Sequence, residues 1–216
     1  MGVERRKGDS PKVQTASGDI SKISPKASQK YRIEEIKPGS ETFDRVLDWI
    51  TAEDDLMYKS MTGESDYAQK STETESWRLA WRYTHTAMWQ LMQAKEKGMP
   101  KGLHFCVMLD ESRNPVGFQS FVLPPNKDTN QIMTTYVNPS ERRVGIAKRL
   151  TDHCVEESRR QNCLKVETHV HEFSVDAIES IEKQGFREVK REEGDITYRL
   201  DLKEPKRLTP PNPPSP

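Results

Sequence analysis

The sequence predicts one mixed α/β domain, and three observations carry this prediction. Segments with the alternating apolar pattern of strands are interleaved with segments whose apolar residues recur at helical spacing. Two neighbouring strand-like segments flank a short polar turn, as in a hairpin. The stretch 31–203 is long enough to bury one substantial core.

The chain first predicts a strand and two helices. In residues 31–36 apolar and polar residues alternate as in a strand. Residues 41–58 carry apolar residues at helical spacing after Ser40, a residue type favoured as an N-cap. The polar segment 59–72 predicts a loop. A long helix is expected over 73–97 from its helical apolar pattern, and Gly98 and Pro100 close it.

The middle of the chain predicts three strands and a third helix. Residues 103–109 and 116–123 are rich in apolar and aromatic residues around a polar turn, which predicts the hairpin. A further strand is expected over 130–137, where Pro139 follows it. A helical pattern then covers about 145–160.

The last part of the domain predicts a strand, a helix and two more strands. Residues 164–170 predict a strand and 174–184 a helix closed by Gly185. Two final strands are expected over 186–191 and 195–202.

The two ends of the chain differ from this domain in composition. Residues 1–30 are rich in Lys, Ser, Gly and Asp, and such a segment buries too little apolar surface to offset its ordering entropy. Residues 204–216 contain six of the 14 prolines, which favours an extended tail. We therefore expect a disordered arm, a domain over 31–203 and a Pro-rich disordered tail.

Composition excludes several functional classes. The 34 basic residues balance the 34 acidic ones, so no strong field of one sign favours a nucleic acid partner. Apolar runs such as 103–109 are shorter than a membrane span, and no apolar segment opens the chain as a signal peptide would. We expect no membrane partner and a cytoplasmic location, with the nucleus left open. The oligomeric state is open.

The segment TTYVNPSERRVGIA joins a strand, a turn and the start of a helix. A helix N-terminus presents unpaired backbone N–H groups and the positive end of the dipole, which suits an anion. Gly145 would let a phosphate approach the backbone, and Arg142 and Arg143 would add charged hydrogen bonds. A pyrophosphate fits this pattern, although the pattern by itself also occurs in purely structural turns.

This segment resembles the acyl-CoA loop of the GNAT superfamily of acetyl-CoA-dependent N-acetyltransferases, Gln/Arg-x-x-Gly-x-Gly/Ala. The matching residues are Arg142, Gly145 and Ala147, with Val137 and Pro139 preceding them at the family's spacing. The loop motif is moderately specific.

A second block strengthens the resemblance. Ala177 stands eight residues before the pair Gly185-Phe186, as in the family. The resemblance covers 103–202 well, and 31–98 only by the order of elements.

The resemblance implies a mostly antiparallel central sheet flanked by helices, with splayed fourth and fifth strands that hold acetyl-CoA. The strand end would pair its backbone with the pantetheine arm, and the loop amides would hold the pyrophosphate. The implied cofactor-binding residues are Tyr136, Val137, Arg142, Arg143, Val144, Gly145, Ile146, Ala147 and Ser174.

Two positions depart from the family. Ser174 stands where the family often has a cofactor-contacting Asn, and Ile181 stands where it often has a Tyr that protonates the departing thiolate. Serine still forms hydrogen bonds, whereas isoleucine donates no proton. Some acyl transfers need little acid help, because a thiolate of pKa about 8.5 leaves readily.

Candidate bases lie on the fifth predicted strand. Period-2 alternation places Glu167, His169 and His171 on one face. We expect His171 to be the base because it lies nearest the strand end, with Glu167 as a further candidate. The alternative is that these residues form a solvated polar strand face. The spacing of the Cys and His residues matches no closed zinc pattern, so no metal is expected.

The predicted second helix and the loop before it carry two further features. Trp77, Trp81, Met88 and Met92 recur at helical spacing, as core residues or as the lining of an amine pocket. The acidic residues Glu64, Asp66, Glu73 and Glu75 would attract a cationic amine or form a solvated loop.

The function expected from the resemblance is transfer of an acetyl group from acetyl-CoA to a primary amine, by direct attack in a ternary complex. The acceptor would be a small molecule or a protein amine. The alternative is a catalytically impaired acyl-CoA-binding or protein-interaction module with the same fold.

Overall fold

The computed structural model describes residues 30–62, 74–123 and 128–202. In chain order these residues form β1 (Arg32–Ile36), α1 (Glu41–Thr62), α2 (Thr74–Lys97), β2 (Leu103–Leu109), β3 (Pro115–Val122), β4 (Thr129–Val137), a 3-10 helix (Pro139–Glu141), α3 (Ile146–Arg160), β5 (Lys165–His171), α4 (Val175–Lys183), β6 (Arg187–Glu192) and β7 (Asp195–Asp201).

These elements match the predicted ones in type and order. The first helix extends to Thr62, so the beginning of the predicted loop at 59–72 is helical. Ser40 is its cap, because the Ser40 Oγ accepts a hydrogen bond of 3.2 Å from the Phe43 amide. The predicted tail, and the predicted arm except for Lys30, lie outside the described residues.

The described strands form one seven-stranded sheet in the order β1-β2-β3-β4-β5-β7-β6. Every neighbouring pair is antiparallel except β4 and β5, which run parallel. A parallel pair requires a crossover connection, and α3 provides it. The predicted mixed, mostly antiparallel sheet flanked by helices is therefore confirmed.

The sheet has a core on each face. One core packs α1 and α2 against β2, β3 and β4 around Phe43, Phe105, Phe118 and Leu91. The other includes Leu150 and Cys154 of α3, Val166 of β5 and Tyr198 of β7, with Ile178 and Ile181 of α4 packed against it. Among the described residues, no helix is both long enough and apolar enough to cross a membrane.

Candidate functional site

The central strands β4 and β5 separate part-way along their length. Their parallel pairing starts at Thr129 with Lys165 and ends at Ile132 with Thr168. Beyond this point, among the described strands, β4 pairs with β3 and β5 pairs with β7. The space between the separated ends is called the wedge below. The predicted splay of the fourth and fifth strands is confirmed.

A β-bulge marks the start of the wedge. Ile132 pairs with Phe121 and Thr134 pairs with Ser120, so Met133 is an extra residue in β4. A bulge bends its strand and increases the local twist. The bulge therefore accounts for the departure of β4 from β5 directly after Ile132.

The N-terminus of α3 lies at the open end of the wedge. Gly145 precedes the helix at φ 89°, and the Arg149 amide donates to the Gly145 carbonyl over 3.0 Å. The amides of Ile146, Ala147 and Lys148 precede this first helical bond, and such amides lack an intrahelical acceptor. They form a positive, donor-rich end suited to an anion.

The loop before α3 leaves this helix end open. A Cβ built on Gly145 would meet no atom of the described residues within 4 Å. Arg142, Arg143 and Val144 are exposed, and Arg143 has a left-handed φ of 66°. The Arg142 Nε donates to the Val137 carbonyl over 3.2 Å, which keeps this cation beside the end of β4.

The start of α4 faces the same opening. Ser174 occupies its N-cap position, and within the described part of the chain its side chain forms no capping hydrogen bond. The guanidinium of Arg143 lies 4.0 Å from the Asp176 carboxylate in the first turn of α4. The structure thus brings the predicted loop residues and Ser174 to one opening.

The comparisons with known proteins agree with this geometry. A family model described as the acetyltransferase (GNAT) family matches residues 67–186, more than half of the chain. The chain belongs to this GNAT family. No curated protein is similar enough to match the chain.

Solved structures share the GNAT fold at low sequence identity. An N-acetyltransferase (PaiA) from Thermoplasma acidophilum, solved in complex with coenzyme A, is 14% identical over 79% of this chain and 99% of its own, with a TM-score of 0.52. A GNAT acetyltransferase from Staphylococcus aureus is 16% identical over 80% of this chain and 100% of its own, with a TM-score of 0.56.

Tyr31, the residue before β1, supports the loop. Tyr31 donates from its hydroxyl to a Glu141 carboxylate oxygen over 2.6 Å, and its carbonyl accepts from Arg149 over 2.8 Å. This hydrogen bond to Glu141 and burial raise the pKa of Tyr31. The strand β1 is thereby linked to both the 3-10 helix and α3, a contact that sequence patterns did not predict.

The two predicted strand residues, Tyr136 and Val137, have side chains that pack into opposite cores of the sheet. The Tyr136 side chain is buried on the α1 side, where its hydroxyl donates to Glu53 over 2.8 Å and its ring packs against Trp49. Burial, followed by this hydrogen bond, raises the pKa of Tyr136. The Val137 side chain packs against the core on the α3 side, so the backbone of both residues is what remains for a molecule in the wedge.

The polar face of β5 has the predicted alternation. Val166, Thr168 and Val170 are buried, whereas Glu167, His169 and His171 are partly or fully exposed. This face is on the α1 and α2 side, opposite the core that contains Val166 and Val170. The three predicted residues share it, as expected for a regular strand.

Glu167 is ion-paired, whereas His169 and His171 each use only one ring nitrogen in the contacts that the structure describes. Glu167 accepts from Arg199 over 2.8 Å and lies 3.4 Å from the Lys165 ammonium group. The His169 Nδ1 lies 3.1 Å from the Thr197 hydroxyl. The His171 Nδ1 accepts a long bond of 3.4 Å from the Phe173 amide. The Glu167 carboxylate is thus neutralised, while both histidines retain a free Nε2 among the described residues.

Ile181 lies on the core side of α4. It is partly buried and packs against the core that contains Leu150 and Tyr198. Among the described residues, no group of His, Cys, Asp and Glu is arranged to hold a metal ion. Cys106, Cys154 and Cys163 are buried free thiols.

The Trp and Met residues of α2 are only partly described. Met88 packs against the core and Met92 is exposed, so they do not form one common lining. The side chains of Trp77, Trp81 and Glu75 lie outside the described part of the structure, as do Glu64, Asp66 and Glu73.

A cavity of about 550 Å³ lies beside the 3-10 helix. Its lining includes Trp49 and Glu53 of α1, Pro115 of β3, and Asn138 and Glu141. None of its lining residues belongs to β5 or α4, so this cavity is separate from the wedge.

Proposed function

We propose that this GNAT protein is an N-acetyltransferase that moves the acetyl group of acetyl-CoA to a primary amine by direct attack in a ternary complex. One observation carries the proposal. The sheet opens between β4 and β5 beyond their last pair, Ile132 with Thr168, and the opening leads to the uncapped N-terminus of α3.

The freed edge of β4 suits the pantetheine arm of acetyl-CoA. Beyond Met133, the side of β4 that faced β5 has lost its strand partner, so its backbone N–H and C=O groups are available to a ligand. The pantetheine arm contains amides, which pair with such an edge as a strand would. The backbone of Tyr136 and Val137 would make these bonds.

The end of the wedge suits the pyrophosphate. The amides of Ile146 and Ala147, together with the neighbouring loop amides of Val144 and Gly145, would donate to its oxygens. Arg142 and Arg143 add positive charge at the same place, and Ser174 supplies a hydroxyl from the opposite side. The PaiA structure in complex with coenzyme A supports this assignment by its shared fold.

Acetyl transfer requires a neutral amine and a route for its proton. The face of β5 that carries His169 and His171 supplies imidazoles on the α2 side of the wedge. We propose His171 as the base, acting directly or through water. Glu167 is the second candidate base, and its ion pair with Arg199 makes it the weaker of the two.

The packing of Ile181 favours a second candidate function. Because this position holds an apolar core residue, the usual acid is missing, and the domain could bind acyl-CoA without turning it over. Such a protein would be a binding module with a GNAT fold.

Thiol release separates the two candidates. The full chain is incubated with acetyl-CoA and a panel of primary amines that includes polyamines, arylalkylamines, amino acids and lysine peptides. The N-acetyltransferase proposal predicts free CoA above the background hydrolysis rate with at least one amine, and mass spectrometry should show the acetylated product. Binding of acetyl-CoA with no release for any amine would favour the binding module.

A further inference from the structure

Helix α2 crosses the wedge on the α1 side of the sheet. The Gln90 Oε1 accepts a hydrogen bond of 2.7 Å from Ser120 of β3, and the Arg82 Nη2 lies 4.0 Å from the Asp195 carboxylate of β7. Strands β4 and β5 lie between β3 and β7 in the sheet. The segment 82–90 therefore passes over the place where β4 and β5 separate.

Tyr83 lies on the sheet-facing side of this segment. At 3.6 residues per turn, Tyr83 is within about 20° of both Gln90 and Ala94 around the helix axis. Gln90 is 9% exposed and Ala94 is 0% exposed, because the sheet lies beneath them. Tyr83 is only partly buried although it points the same way. Gln90 lies over β3, whereas Tyr83 lies in the part of α2 between Gln90 and the Arg82 contact with β7.

The Tyr83 hydroxyl has no hydrogen-bond partner among the residues that the structure describes. A second unpartnered hydroxyl lies on the same face of the sheet. Thr134 directly follows the bulge residue, is 2% exposed, and its Oγ1 forms no hydrogen bond within the described residues. Of these two hydroxyls, that of Tyr83 belongs to the partly exposed side chain and is the one available to a bound molecule.

We propose that Tyr83 donates its hydroxyl proton toward the sulfur of acetyl-CoA, the role that Ile181 cannot fill. This inference rests on the proposed function. In the step, the amine nitrogen bonds to the carbonyl carbon, and the carbon–sulfur bond breaks with its electron pair on sulfur. The sulfur takes the Tyr83 proton, the phenolate regains a proton from water, and the amine releases its proton through the histidine face of β5.

Affinity for a pair of ligands tests this contact without any acceptor. Calorimetry compares CoA with desulfo-CoA, in which hydrogen replaces the thiol group, for the wild type and Tyr83→Phe. A net hydrogen bond corresponds to about a 2- to 10-fold difference in affinity. The wild type should prefer CoA by this factor, and Tyr83→Phe should bind both ligands equally. Tyr83→His, which keeps a donor, should restore part of the preference.

The control is Tyr198→Phe, which removes a hydroxyl that is bonded to Glu182 on the other face of the sheet. This variant should keep the wild-type preference. With the fastest amine of the panel, Tyr83→Phe should lower kcat about 10- to 100-fold and raise the KM for acetyl-CoA by no more than about 10-fold. An equal preference for CoA in wild type and Tyr83→Phe would overturn the inference and leave the proposed function standing. Failure of the wild type to bind either ligand would overturn both.

Discussion

Gly117 of β3 lies so close to Ile146 of α3 that a Cβ on Gly117 would stand 2.5 Å from the Ile146 Cγ2. Gly117 also pairs with Val137 at the end of β4. One glycine therefore sets the distance between the end of the wedge and the first turn of α3. The helix end that we assign to the pyrophosphate depends on this close approach.

Gly117→Ala should push the start of α3 away from the sheet. We expect a loss of about 1–3 kcal/mol in the free energy of unfolding, because the core around Ile146 is already filled. Acetyl-CoA affinity should fall at least severalfold. Urea denaturation and calorimetry measure the two effects.

The double variant Gly117→Ala with Ile146→Ala is the control for this prediction. Removing the Ile146 Cγ2 relieves the clash, so the double variant should be more stable than the sum of the two single changes predicts. Strict additivity of the two losses would contradict the assigned contact.

Gly145→Ala should weaken acetyl-CoA binding at least tenfold, because the new methyl group occupies the space at the start of α3 where the pyrophosphate would lie. Gly98→Ala is the matched control. Gly98 has φ 81° against 89° for Gly145, and at both positions a Cβ meets no described atom within 4 Å. Both variants should lose about 1 kcal/mol of stability from the left-handed φ.

Acetyl-CoA affinity should separate this pair of variants. Gly98→Ala should bind as the wild type does, since Gly98 follows α2 and lies away from the loop. Equal affinities in the two glycine variants would show that the loop is wrongly assigned.

The element order and the polar face of β5 could be predicted from local patterns. Strand alternation placed Glu167, His169 and His171 on one face, and the structure confirms it. Local patterns repeat with the geometry of the element itself, with a period of 2 in strands and 3.6 in helices. The candidate pyrophosphate loop, residues 142–147, could be proposed from the sequence because its motif is contiguous.

The contacts between elements could not be predicted in this way. The bulge at Met133 depends on how β3 pairs with β4, and the sequence of β4 alone does not contain this information. The position of Tyr83 over the wedge depends on where α2 crosses the sheet. The close approach of Gly117 to Ile146 joins residues of two elements that are far apart in sequence. Such contacts are properties of tertiary packing.

Ile181→Tyr should destabilise the domain by about 1–3 kcal/mol, because Ile181 packs against the core beneath α4 and a ring overfills that space. Turnover should not rise. A lower melting temperature together with an unchanged rate would fit this account. A faster rate at unchanged stability would show that position 181 faces the thioester, as the family pattern implies.

Stability should fall as the pH rises above about 9. Burial raises the pKa of the Cys154 thiol from its ordinary 9.0 to about 12. Between these two values the unfolded chain has lost this proton and the folded chain keeps it, so each step up in pH favours unfolding. This thiol alone contributes up to about 1.4 kcal/mol per pH unit.

Urea unfolding of the wild type and of Cys154→Ala, measured from pH 8 to 11, checks the alkaline prediction. The variant should show a shallower loss of stability, although its stability at pH 8 is lower because a buried side chain has been shortened. Parallel curves for the two proteins would mean that Cys154 ionises in the folded state as it does in the unfolded state.

The most direct test of the account is isothermal titration calorimetry of acetyl-CoA into the full chain. The account predicts saturable binding of one acetyl-CoA per chain, weakened by added salt because the pyrophosphate meets Arg142 and Arg143 at an exposed helix end. Absence of binding at millimolar acetyl-CoA would contradict the assignment of the wedge and the α3 N-terminus as the acyl-CoA site.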